Sequence, residues 1–131
     1  MASFANVTLN TKVYTPSSYN NGVAGWLNRD AGVAAGFSPL TQRVYQAPRH
    51  KDGSLGAWHS VHKLTVPIVA ETDSSCSCSG SVLRESGFDI HGWFAAGATL
   101  SERTDLYDRL CSLVLTDQFK ETFTKLEPVH S

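Results

Sequence analysis

Three observations predict an α+β fold, an antiparallel sheet with helices on one side. Between Phe4 and Phe94 apolar residues recur at intervals of two, as along half-buried strands. After Gly97 the interval changes to 3.6, and the turn residues Asn10-Thr11 and Asp52-Gly53 fall between the strand-like runs. Strands first and helices last is the order of an α+β chain.

Taken in order, "FANVTLNTKVYT" (4 to 15) alternates Phe4, Val7, Leu9 and Val13 with polar residues and suits a hairpin turning at Asn10-Thr11. "GVAGWL" (22 to 27) is a further strand ahead of a Gly/Ala-rich link. Residues 40 to 46 and 57 to 69 are rich in β-branched and aromatic types and flank "APRHKDGSLG", so they form a long hairpin. Pro67 has no amide hydrogen to give and marks a bulge or unpaired edge. "VLRESGFDIHGWF" (82 to 94) is another strand, with Phe88, Ile90 and Phe94 on one face and Asp89 and His91 on the other. The same parity puts Val44, Leu64 and Val66 on an apolar side and Thr41, Arg43, Tyr45, His59, Val61 and Lys63 on the opposite side, although Gln42 and His62 interrupt the apolar one.

Thr99 and Glu102 have capping-box spacing, so a helix starts there and stripes Leu106, Leu110, Leu113 and Val114 along one side. A second helix from about Thr116 presents Phe119, Phe123 and Leu126, and Pro128 ends it. Each of these seven side chains contributes roughly 1.5–3 kcal/mol when buried. Burial on the chain's own sheet would give a two-layer monomer, and burial on a partner's sheet an interlocked dimer; composition does not separate the two.

A length of 131 residues fits a single domain, 1–131, able to bury about 65–70% of its unfolded surface if it folds alone. The apolar fraction of 41% excludes a disordered chain. Met1-Ala2-Ser3-Phe4 lacks the features of an export signal and the apolar runs are short, so a soluble protein made in the cytoplasm is expected, with no membrane partner. The net charge of −1 hides an asymmetry. Residues 1 to 69 carry six Lys/Arg and two acids, and residues 70 to 131 five and ten, which leaves the first half basic enough to suit a polyanion.

Catalytic and metal readings find little support. His59 and His62 of "HSVH" are three apart in a strand and point to opposite faces, and Cys76-Ser77-Cys78 has no second Cys/His pair at structural-zinc spacing. Asp89 and His91 share a face, yet no nucleophile motif accompanies them, so neither an enzyme, nor a small-molecule substrate, nor a cofactor is expected. Cys111, beside the leucine stripe, reads as a buried small apolar residue. The polar sheet face is more coherent: Arg43, Lys63 and His59 offer donors to phosphate, and Tyr45 and Trp58 offer flat rings for unpaired bases. Single-stranded or looped RNA suits such a face, and a merely solvated face has the same composition.

On four blocks, "PSSYNNGVAGWL" (16 to 27), "GAWHSVHKLTVPIV" (56 to 69), "LRESGFDI" and "AGATLSERTDL" (96 to 106), the chain resembles the coat proteins of the single-stranded RNA bacteriophages of levivirus type. The resemblance implies an N-terminal β-hairpin, a five-stranded antiparallel sheet and two C-terminal helices packing across the partner subunit of an interlocked dimer. It implies a capsid protein that assembles into an icosahedral shell in the host cytoplasm, resides in the virion, and binds a genomic RNA hairpin, repressing replicase translation and marking the RNA for packaging. Carried over by position, the RNA contacts are Thr41, Arg43 and Tyr45, then His59, Val61 and Lys63, then Asp89 and His91. Gly87 departs from a tyrosine that stacks on a loop base in relatives, Val61 from a threonine, and the loop at Asp52-Gly53 is longer than usual. Cys76 and Cys78, in "TDSSCSCSGS", fall in the loop that gathers around the shell's symmetry axes in this fold. Intersubunit disulfides are expected there, because cysteines one residue apart are strained partners for each other. The alternative function is a small cytoplasmic RNA-binding dimer that does not assemble.

Overall fold

A computed structural model describes residues 3–70 and 81–129. The chain divides into two compact units, Met1–Trp93 and Phe94–Ser131. The first is built on six antiparallel strands in sequential order: β1 (Val7–Leu9), β2 (Lys12–Asn20), β3 (Val23–Asn28), β4 (Ser38–Gln46), β5 (Trp58–Val69) and β6 (Val82–Phe94). The expected hairpin plus five strands is therefore corrected to six. The nine-residue β2 serves both neighbours, pairing with β1 through Lys12–Tyr14 and with β3 from Thr15 onward, and its register shifts at a bulge between Pro16 and Ser18.

Two-residue turns set the early register. Asn10 and Thr11 both take positive φ (48° and 65°), as do Asn21 and Gly22 (53° and 77°), the backbone that closes a tight hairpin with the strands' own twist. The first turn places Leu9 opposite Lys12 and Val7 opposite Tyr14. Tyr14, not Val13, thus joins Val7 and Leu9 in the core, and Val13 lies on the other side, exposed. Tyr14, Trp26 and Leu40 are the buried centre, with Val7, Leu9, Ala24 and Leu64 packed against it. Polar groups lock this cluster. The Trp26 indole donates to the Ala5 carbonyl at 2.8 Å, and the Tyr14 hydroxyl lies 2.7 Å from Ser38 Oγ, which itself donates to the Thr65 carbonyl. The N-terminal hairpin so curls over one end of the sheet's apolar face.

The long hairpin forms as the sequence predicts. β4 and β5 pair from Gln46↔Trp58 to Leu40↔Leu64, and Pro67 lies beyond that ladder. Its loop is ordered by local bonds: His50 N–H to the Ser54 carbonyl, Arg49 to the Gly53 carbonyl, and both the amide and the hydroxyl of Ser54 to the Asp52 carboxylate. Those bonds, the Ser54 hydroxyl first, hold the Asp52 carboxyl below the usual carboxylate range.

The second unit holds α1 (Leu100–Val114) and α2 (Asp117–Thr124). α1 begins with the expected capping box: Thr99 accepts from the Glu102 amide, and Glu102 reaches back to the Thr99 amide. Thr116 caps α2 by accepting from the Phe119 amide. The stripe on α2 is shorter than the sequence suggests, since Leu126 lies past the helix end with φ of 58°. Neither helix contains a buried residue. Cys111, expected to be buried, is exposed, as are Leu106, Leu113 and Val114 of the stripe beside it.

Candidate nucleic-acid interface

Register decides which side chains share a face. Thr41 is paired with Lys63, Arg43 with Val61 and Tyr45 with His59, so these six project together from β4 and β5. His91 joins them from β6, its Nε2 2.8 Å from His59 Nδ1, and alternation along β6 brings Asp89 to the same side. All eight positions singled out in the sequence thus lie on one face of one sheet. The opposite face carries Leu40↔Leu64, Gln42↔His62, Val44↔Ser60 and Gln46↔Trp58, with Phe88 and Ile90 on β6. Trp58 belongs to this second face and is not available to a ligand on the first.

Within the polar face, four side chains form one column. The Arg43 guanidinium lies 4.1 Å above the Tyr45 ring centre, and Tyr45 stacks on His59 at 4.8 Å and 9°. His59 in turn meets His91 at 5.0 Å and 51°. The histidine pair shares a hydrogen bond in which one ring donates and the other accepts, so the pair carries at most one positive charge while the bond lasts. Arg43 and Lys63 bring two basic side chains to this face, and by the same alternation Glu85 and Asp89 bring two acidic ones.

Gly87 stands on the same side of β6, at the position the resemblance assigns to a stacking tyrosine. A Cβ there would fall against the Leu64 carbonyl oxygen, so any side chain at 87 requires β5 or β6 to move. Two features escaped the sequence reading. Gln42 and His62, which interrupt the apolar face, satisfy each other: His62 Nδ1 lies 2.7 Å from Gln42 Oε1, and His62 Nε2 2.8 Å from Ser60 Oγ. Burial pushes the His62 imidazole below its usual range. Trp93, two residues beyond His91, also lies on the polar face, and the period-two rule that placed His91 would have found it.

Among the described residues no three His, Cys, Asp or Glu side chains gather as metal ligands would, and no helix is long and apolar enough to cross a membrane. Cys76 and Cys78 lie outside the described residues.

A sheet that is polar on one face and apolar on the other, followed by two helices in which no residue is buried, leaves apolar surface for another molecule to cover. Comparison with known proteins agrees: the chain belongs to the Levivirus coat protein family, whose family model matches residues 2–130. It is a viral capsid component and not an enzyme. Solved structures share the fold. The virus-like particle of bacteriophage NT-214 matches with a TM-score of 0.82 at 19% identity, over 98% of this chain and 100% of that one. The bacteriophage GA protein capsid matches at 0.79 and 15%, over 99% and 100%. An unassembled bacteriophage coat protein, described as an RNA-binding dimer, matches at 0.61 and 18%, again over 99% and 100%. No curated protein sequence matches the chain.

Proposed function

We propose that this protein is a shell subunit that dimerises, assembles into an icosahedral particle in the host cytoplasm, and binds a hairpin of its own genome on the polar sheet face, repressing replicase translation and selecting RNA for packaging. One observation carries the reading: the two faces of the sheet are divided between two tasks. On the apolar face, beyond the part roofed by the N-terminal hairpin, Val44 is 64% exposed, and Val66, Ile68 and Phe88 are also uncovered. The helices present a matching uncovered stripe, with Leu113 52% and Phe123 56% exposed. A second copy supplies what each surface lacks.

The magnitudes favour association. Leu106, Leu110, Leu113, Val114, Phe119 and Phe123 contribute roughly 1.5–3 kcal/mol each on full burial, and a dimer buries two sets. Association costs on the order of 4–15 kcal/mol, so the apolar gain exceeds it. β6 adds a route for the sheets to join, since it is a 13-residue edge strand with neither proline nor lysine to blunt it.

On the other face Thr41, Arg43, Tyr45, His59, Val61, Lys63, Asp89 and His91 are the RNA contacts, with Arg43 and Lys63 on phosphates and the remainder against bases and sugars. Cys76 and Cys78 join loops of neighbouring subunits once the particle meets an oxidising medium. Non-reducing electrophoresis of particles then shows ladders that collapse with reductant, and monomer alone refutes the cross-links.

Electron microscopy of the expressed protein tests the central claim. Uniform spherical particles with excess 260 nm absorbance are expected. Dimers that bind RNA without assembling would favour the small RNA-binding dimer, and a stable folded monomer at micromolar concentration would overturn both readings.

A further inference from the structure

The polar face contains several rings, but most of their surfaces are already in use. Tyr45 has a cation 4.1 Å from its centre and a parallel ring 4.8 Å away. A base that stacks on Tyr45 meets a ring with two neighbours already against it. His59 is stacked on Tyr45 and tied by its edge to His91. Such a column presents ring edges and the in-plane N–H donors of Arg43, which suits hydrogen bonds to phosphates and base edges more than stacking. Residue 87 cannot carry a ring unless the main chain moves.

Trp93 differs on each count. It lies on the same face of β6 as Asp89 and His91, it is 70% exposed, and among the described residues no ring or cation stacks on it. Its exposed indole offers a ligand the largest flat π-surface of any side chain. Arg43 and Lys63 on the same face offer donors to the phosphates of adjoining nucleotides.

We infer that Trp93 is the platform on which this protein stacks an unpaired RNA base, and that the Arg43–Tyr45–His59–His91 column reads the adjoining nucleotides by their edges. The inference rests on the reading of this face as an RNA site. It places the stacked base about 20 Å along β6 from position 87, six residues at the rise of a strand, so the bound hairpin differs in register from one anchored at 87.

The test is a titration of the dimer with the hairpin that binds it best from a pool of RNA hairpins with randomised loops. It is repeated on Trp93→Leu, Trp93→Tyr and Tyr45→Leu, each checked for dimerisation by sedimentation. Trp93→Leu keeps an apolar side chain but removes the flat ring. It is expected to dimerise normally and to bind about 5- to 150-fold more weakly, the loss of one stacked base. Trp93→Tyr is expected to stay within about 3-fold of wild type, because a smaller flat ring still stacks. RNA is also expected to quench a component of tryptophan fluorescence that Trp93→Tyr lacks. If Trp93→Leu binds RNA as the wild type does, or loses affinity only in proportion to lost dimer, Trp93 is a solvent or subunit contact and the inference falls while the RNA site stands. If Tyr45→Leu alone abolishes binding, the base stacks at Tyr45 and the inference again falls. If no hairpin in the pool binds, the RNA reading itself fails and takes the inference with it.

Discussion

The sheet unit buries Tyr14, Trp26 and Leu40 against one another, whereas in residues 94–129 no described side chain is buried, although both stretches are amphipathic in pattern. The sheet unit has a hairpin of its own to fold over part of its apolar face. The helical unit has caps, a stripe and two i,i+4 ion pairs, Asp105–Arg109 and Glu121–Lys125, which hold the helices locally but give them nothing to rest on. Exposed pairs of that kind are worth a few tenths of a kcal/mol, so they do not substitute for burial. The difference teaches that an amphipathic pattern says a surface will be covered without saying by which molecule.

Breaking the intermolecular half should have the largest effect. Leu106→Asp puts a charge into the α1 stripe, where burial without a partner costs several kcal/mol, and is expected to abolish the dimer and all particles. Analytical ultracentrifugation would read this directly, and normal particles from Leu106→Asp would show that the stripe remains in water. Breaking the intramolecular half is expected to look different. Leu40→Ala empties part of the Tyr14–Trp26 cluster and should cost about 2–5 kcal/mol, lowering the urea midpoint at every protein concentration. The helix substitution acts through association, so its effect should grow on dilution.

The smallest expected effect sharpens the comparison at the apolar face itself. Burial depresses the His62 pKa below its ordinary 6.5, so the unfolded chain binds the proton more readily than the folded one. The stability contributed by neutral His62 is therefore complete above pH 6.5 and declines as pH falls below it. Urea midpoints at pH 7.5 and 5.5 should differ in wild type, and the difference should shrink in His62→Gln; an unchanged difference would assign the acid sensitivity elsewhere.

Local rules made much of this fold legible. The Asn10-Thr11 turn, the β4–β5 hairpin, the span of β6 and the Thr99–Glu102 capping box depend on contacts between near neighbours, and each forms where the sequence places it. Alternation within each strand showed which of the eight positions share a side, the resemblance singled them out, and cross-strand pairing brought them to one face. Val13 was misplaced because which of two adjacent residues faces inward depends on the register of the hairpin, and a two-residue turn put Tyr14 opposite Val7. The runs read from the residues already make six strands, and the count of a hairpin plus five came from the resemblance.

By itself the sequence determined the periodicities: which residues belong to strands, which to helices, and which side chains share a face, because those follow from 2- and 3.6-residue repeats in a covalent chain. Tertiary structure decided the pairings between strands: that Gln42 satisfies His62, that His59 stacks on Tyr45, and that Gly87 is closed by the Leu64 carbonyl. Those contacts join residues far apart in the chain, and cross-strand register, which no local pattern encodes, is what brings them within bonding distance.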